Sequence, residues 1–197
     1  NNLYFVADDG TSGREVWKTD GTTSGTTLVK DINSGSSNGT AWPDPPFFNE
    51  VNGELLFLGN EGTNGEELWK TNGTSAGTIL VKDVNSGAGG SGITLPITTG
   101  DKLFFKVFVG GITSLWVSDG ATLGTSKVID LSYCNFMVAL DSSKLIFAQD
   151  NTSPINYGRE LWISDGTTLG TKILKDIYPG TTDGIPTNHF LTKVIDT

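Results

Sequence analysis

Four times the chain spells a Trp-centred strand followed by an Asp-Gly-Thr type of turn. The copies are Glu15-Val16-Trp17-Lys18-Thr19-Asp20-Gly21-Thr22, Glu67-Leu68-Trp69-Lys70-Thr71-Asn72-Gly73-Thr74, Ser114-Leu115-Trp116-Val117-Ser118-Asp119-Gly120-Ala121 and Glu160-Leu161-Trp162-Ile163-Ser164-Asp165-Gly166-Thr167. Successive tryptophans are 52, 47 and 46 residues apart. A period near 50 residues marks a repeat architecture, in which each unit buries its apolar face only against its neighbours.

The second unit shows the layout most clearly. Pro46–Val51 is a short apolar segment, and Asn52-Gly53 is a two-residue hairpin signal. Glu54–Gly59 is a continuous apolar run, Glu66–Thr71 carries the tryptophan, and Thr78–Val84 follows the Asn72-Gly73 turn. These read as four antiparallel strands, A to D. Strand B recurs at Leu3–Val6, Leu103–Phe105 and Leu145–Ala148. Strand D recurs at Thr27–Ile32, Lys127–Asp130 and Lys172–Ile177, and strand A at Ile93–Leu95, Phe136–Leu140 and Phe190–Ile195. Strand B is apolar at successive positions, so both of its faces are expected to be buried, as in a propeller blade.

The expected fold is therefore all-β: one propeller domain, residues 1–197, of four four-stranded antiparallel blades. Its units run approximately 1–35 plus 181–197, 36–87, 88–132 and 133–180. The chain opens on a B strand and closes on an A strand, so a closed ring would pair the last strand with the first and remove an exposed edge. The alternative is an arc of a larger propeller.

Composition narrows the partners. With a net charge of −9 and a pI near 4.4 the chain lacks the basic face that phosphate backbones or anionic lipids require. No apolar stretch has the length of a membrane span. The single cysteine, Cys134, lies in an apolar run, which excludes an intrachain disulfide and reads as a small buried hydrophobe. The first residue, Asn1, suits a mature exported protein or a segment of a longer one.

The Glu-Leu-Trp-x-x-Asp-Gly-Thr pattern, with the Lys-Asp-Ile tail at Lys30-Asp31-Ile32, Lys82-Asp83-Val84 and Lys175-Asp176-Ile177, resembles the ELWxxDGT repeat of bacterial exported and surface proteins. The departures are Val16, Asn72, Ser114 and Ala121, and the third copy ends on Ile129-Asp130-Leu131. The resemblance implies a secreted or cell-surface location, frequently within long multidomain chains, and no established catalytic activity.

Most repeated residues have structural explanations. Asp20, Asn72, Asp119 and Asp165 read as turn residues, each accepting a hydrogen bond from a backbone N–H two residues on. Trp17, Trp69, Trp116 and Trp162 read as core, filling the wedge between blades. Glu15, Glu67 and Glu160 are expected to meet a lysine or a backbone donor.

Candidate binding residues lie on the irregular loops from B to C and from D to A, which share one end of such a fold. Trp42 and Asp44 sit in a Pro-rich insertion, and Tyr157 and His189 in two further loops. Asp8, Asp9, Asp150 and Asn151 are hard oxygen donors for a Ca²⁺ ion, although no EF-hand pattern surrounds them; otherwise no cofactor is expected. One histidine and no Gly-x-Ser-x-Gly elbow leave no hydrolase constellation in the sequence. The reading that follows is a non-enzymatic extracellular structural or binding module of an adhesion protein, meeting a protein or glycan at a cell surface. Two alternatives are a carbohydrate-binding, lectin-like propeller and a polysaccharide-acting enzyme.

Overall fold

Strand B and its neighbours form where the continuous apolar runs and the turn signals place them. The computed structural model describes residues 2–40, 47–134, 136–151 and 157–186. Every sheet is an antiparallel meander. The first contains β1 (Leu3–Asp8), β2 (Arg14–Thr19) and β3 (Thr27–Leu28). The second contains β4 (Asn49–Val51), β5 (Glu54–Gly59), β6 (Glu67–Thr71) and β7 (Ile79–Lys82). The third contains β8 (Thr94–Thr99), β9 (Lys102–Val109), β10 (Ile112–Ser118) and β11 (Ser126–Leu131). The fourth contains β12 (Met137–Ala139), β13 (Leu145–Asn151), β14 (Gly158–Ser164) and β15 (Lys172–Lys175). The expected closing strand Phe190–Ile195 lies outside the described residues, and the first sheet has three strands among them.

The chain divides into two compact units, Asn1–Ile93 and Thr94–Thr197, each holding two sheets. In the first unit Val16, Val29 and Ile32 pack on Phe57 and Trp69. In the second, Leu115, Val117 and Val128 pack on Met137, Leu145 and Phe147. Phe57, Phe104, Phe105 and Phe147 are completely buried. No helix in the described residues is long and apolar enough to cross a membrane.

The turn after each tryptophan strand is closed by side chains at fixed offsets. Asp20 Oδ1 accepts from Thr22 N at 2.9 Å and from Thr22 Oγ1 at 2.7 Å. Thr22 Oγ1 in turn accepts from Gly25 N at 2.9 Å, and Thr26 Oγ1 donates to Thr22 O at 2.7 Å. Asn72 and Asp165 repeat the first bond to Thr74 N and Thr167 N, and Asp119 makes it to Ala121 N. The hydroxyl before each turn residue also belongs to the network: Thr19–Thr26, Thr71–Thr78, Ser118–Thr125 and Ser164–Thr171 each meet at 2.7 Å. These bonds occupy Asp and Asn alike, so the charge is dispensable and Asn72 serves in one copy.

The tryptophans diverge from expectation. Trp69 is buried at 5% exposure, whereas Trp17, Trp116 and Trp162 are only half-buried. Trp69 and Trp162 stand on the second sheet of their units and face the first. Trp17 and Trp116 stand on the first sheets, next to Val16 and Leu115, which point into the shared core. Strand alternation sends their indoles to the opposite face. A tryptophan core thus holds fully for one copy of four.

Gly120 is buried and has a φ of +87°, a conformation that a β-branched side chain tolerates poorly. Gly120→Val is expected to destabilise the fold by about 1–3 kcal/mol. A thermal melt checks this through a lowered Tm, and an unchanged Tm contradicts it.

Candidate functional site

The residue two before each tryptophan organises the loop end of the sheets. Glu15, Glu67 and Glu160 are each 0% exposed. Backbone donors from the loop that follows strand D reach all three, although Glu15 Oε2 has no hydrogen-bond partner among the described residues. Glu67 accepts from Val84 N at 3.0 Å and from Asn85 N at 3.3 Å. Glu160 accepts from Ile177 N and Gly184 N, both at 3.0 Å, and from Tyr178 N at 3.4 Å. Glu15 accepts from Asn33 N at 3.4 Å. A carboxylate taken wholly out of water requires such donors, and charge-assisted bonds to backbone N–H are among the stronger ones.

The neighbouring residue completes the tie. The Arg14 carbonyl accepts from Gly39 N and Thr40 N, the Glu66 carbonyl from Ser91 N, and the Arg159 carbonyl from Gly184 N and Ile185 N. Each loop is therefore held by two consecutive residues of strand C. Close approach demands glycine on both sides. A Cβ at Gly65 would stand 2.6 Å from Gly90 N, and a Cβ at Gly39 or Gly184 would collide with the Glu15 or Glu160 carboxylate. Gly13, Gly65 and Gly158 share positive φ values of 66°, 71° and 69°. The signal was present as Gly13-Arg14-Glu15, Gly65-Glu66-Glu67 and Gly158-Arg159-Glu160, an extension of the repeat on its N-terminal side.

In the second unit the clamp carries a charged cluster. Arg159 is 6% exposed, with Nε 2.8 Å from Asp150 Oδ1 and Nη1 3.4 Å from Asp183 Oδ2. Its guanidinium lies 4.3 Å from the centre of the Tyr133 ring. The planar fork suits two carboxylates and a ring face together, which a lysine does not.

The third copy has no clamp. Ser114 replaces the glutamate and its Oγ accepts from Trp116 Nε1 at 3.0 Å. The long loop preceding strand C is replaced by the tight Gly110-Gly111 turn, leaving Phe108 and Ile112 exposed.

The structure distributes the sequence candidates widely. Trp42, Asp44 and His189 lie outside the described residues, and Tyr157 is half-buried beside Gly158. Asp8 Oδ1 accepts from Gly10 N at 2.8 Å. Asp9 Oδ1 accepts from Thr11 N at 2.8 Å and Ser12 N at 2.7 Å, and these bonds hold its carboxyl down at about 2. Asp150 pairs with Arg159, while Asn151 ends β13. Asp8 and Asp9 belong to the first unit, Asp150 and Asn151 to the second. No group of three or more His, Cys, Asp or Glu arranged to hold a metal occurs among the described residues. Cys134 is 3% exposed, and burial pushes its thiol up to about 11. A thiol held so far from ionisation is a poor nucleophile.

No family model matches the chain, and no curated protein matches it. Solved structures do. Over 87% of its length the chain resembles a structure from an analysis of two prolyl endopeptidases, with a TM-score of 0.52 and 11% identity, covering 24% of that chain. The AtxE2 isopeptidase gives a TM-score of 0.48 at 15% identity, covering 85% of this chain and 25% of that one. The β-propeller domain of the Trilobed protease from Pyrococcus furiosus gives 0.40 at 15% identity, covering 64% and 41%. The chain spans about a quarter of the endopeptidase it matches.

These matches correct two expectations. The non-enzymatic surface-adhesion reading, with its lectin-like and polysaccharide-acting alternatives, is corrected to a fold likeness with part of a prolyl endopeptidase. The expectation of a non-enzyme is corrected likewise: the fold is one that occurs in an enzyme, with the match confined to part of the endopeptidase. At 11% identity the likeness defines the fold, a propeller-like set of antiparallel sheets.

Removing a clamp leaves several loop amides without an acceptor. Glu160→Ala is expected to cost about 2–4 kcal/mol. Chemical denaturation checks it by a lower midpoint; a change below about 0.5 kcal/mol, the range of ordinary surface substitutions, contradicts the clamp.

Proposed function

We propose that this chain is a propeller of the peptidase type, whose clamped loop end meets peptide while bond cleavage resides elsewhere in the protein to which it belongs. The observation that carries this reading is the fold match across 87% of the chain to part of a prolyl endopeptidase. Two features support it. The lone His189 and the missing Gly-x-Ser-x-Gly elbow leave no acyl-transfer machinery in this sequence. The loops from D to A are irregular in sequence yet anchored by buried glutamates, as a binding surface on a rigid scaffold requires. Trp42, Asp44, Tyr157 and His189 are the residues assigned to peptide contact.

The same reading includes a ring of four blades, closed by pairing of Phe190–Ile195 with the edge of β1. Leu3 on that edge is 67% exposed, an apolar position that a further strand would cover. Membership of the ELWxxDGT repeat family and an exported location are part of the proposal and rest on the four motif copies.

Peptide binding is testable by fluorescence polarisation with a labelled library of short unstructured peptides. Saturable micromolar binding, weakened at least tenfold in the Trp42→Ala/Tyr157→Ala double variant, is the expected result. Absence of saturable binding across the library overturns the reading. Closure is tested separately in a Cys134→Ser background, with cysteine at Leu3 and a second cysteine scanned over residues 190–195. One position should oxidise readily, because paired strands bring Cα atoms to about 4.4–6.8 Å; equal failure at all six refutes the ring.

A further inference from the structure

The clamp glutamates of the first unit do not face a neutral wall. The Leu68–Lys82 pairing, continued by one step, sets Glu67 opposite Asp83, and the Lys-Asp-Ile tail sets Asp31 against Glu15 in the same way. Residues opposed across an antiparallel pair have Cβ atoms about 4.5–5.5 Å apart. Asp31 Oδ1 and Asp83 Oδ1 are both buried and have no hydrogen-bond partner among the described residues. Asp31 Oδ2 accepts from Gly35 N at 3.1 Å, which fixes that carboxyl in place.

The remaining surroundings are uncharged. Across β1 and β5, Glu15 and Glu67 face Ala7 and Gly59. Asn33 and Gly39 approach Glu15 from the loop, and Val84, Asn85 and Ser91 approach Glu67. The charged residues Arg14 and Glu66 adjoin them along the strands, where alternation directs side chains to the other face. The third copy provides a contrast inside the same chain. There the opposing residue is Ser114, and Asp130 is exposed and pairs with Lys127 at 2.6 Å. Where glutamate is absent, the aspartate leaves the cross-strand site.

We propose that Glu15 and Glu67, each opposed across the strand pair by an aspartate with a buried, unpartnered oxygen, keep a proton well above the ordinary glutamate range, and that its loss loosens the loops 32–39 and 84–91. A shielded glutamate beside a like charge ionises at a cost, because burial first and the neighbouring aspartate second favour its neutral form. A cation is disfavoured at Glu67 because backbone N–H donors already occupy both of its carboxyl oxygens, whereas Ca²⁺ takes six to eight oxygen ligands. Burial pushes the Glu15 carboxyl up to about 7, with Asp31 adding to the rise, and burial likewise raises Glu67 with a contribution from Asp83. With the folded value above the unfolded one, the stabilisation is complete below the ordinary glutamate range and is lost as pH rises through about 7. If the loop end binds peptide, that binding becomes pH-dependent; the proton itself is independent of that reading.

The test is a ¹³C NMR titration of the glutamate side-chain carboxyls, with amide exchange of Asn33, Val84 and Asn85 followed from pH 5 to pH 9. In the native chain the Glu15 carboxyl should titrate near 7 and the Glu67 carboxyl above the ordinary glutamate range, and the three amides should exchange more than tenfold faster at high pH than base catalysis explains. Asp31→Asn and Asp83→Asn each remove the like charge and keep the size. Each should return one glutamate toward its ordinary range and flatten the exchange excess of its own loop. Titration of every glutamate between pH 4 and 5 overturns the proposal, as does a Ca²⁺-dependent shift of these carboxyls. Unchanged titration in both Asn variants overturns the pairing with aspartate. Glu15→Gln, compared with native at pH 5 and pH 8, guards against misfolding: a Tm loss smaller at pH 8 than at pH 5 is expected, and equal losses contradict it.

Discussion

A buried carboxylate is the most demanding group in this structure, and the loop end of three sheets is built around it. Glu15, Glu67 and Glu160 lie wholly out of water, so each requires donors that the strands cannot provide, because ladder amides are already paired. The segment after strand D supplies free backbone N–H groups, and this binds an otherwise irregular loop to the middle of its own sheet. Glycines at the Gly-x-Glu position and inside the returning loop follow from the same requirement, since side chains there would occupy the space of the carboxylate or of the loop backbone.

The other end of each sheet is governed by hydrogen bonds in which an Asp carboxylate or an Asn amide oxygen serves as acceptor. The Asp-Gly-Thr-x-x-Gly-Thr turn satisfies its own amides through one carboxyl or amide oxygen and two hydroxyls. The two ends therefore answer differently to sequence change. Asn72 replaces Asp because only an acceptor is needed, whereas Ser114 in place of Glu leaves the third copy without the anchor for the segment after strand D. A regular turn end and an irregular, tethered loop end are what a scaffold for recognition combines.

Much of this was legible in the sequence. The spacing of the tryptophans, the Asn52-Gly53 hairpin and the apolar B strands give the meander and its register, because period-two patterning and turn chemistry are local properties. The tryptophans misled because their environment depends on which face of which sheet they occupy. Trp17 and Trp69 have the same local sequence and different burial. The backbone donors expected for these glutamates are there, but the loop that supplies them is set only once the fold brings the segment after strand D against strand C. The recurring Gly-x-Glu triad was the available clue. The peptidase likeness was not legible at all, since it resides in the arrangement of sheets at 11% identity.

The account stands on the claim that buried glutamates, and not ladder bonds, protect the amides just beyond strand D. Val84 and Ile177 lie outside the strands, and their N–H groups donate to Glu67 and Glu160 at 3.0 Å. Amide hydrogen exchange of the native chain near pH 6 measures this directly. Protection of Val84 and Ile177 comparable to that of core strand amides is the predicted result; exchange as fast as that of the exposed Gly87 would contradict it.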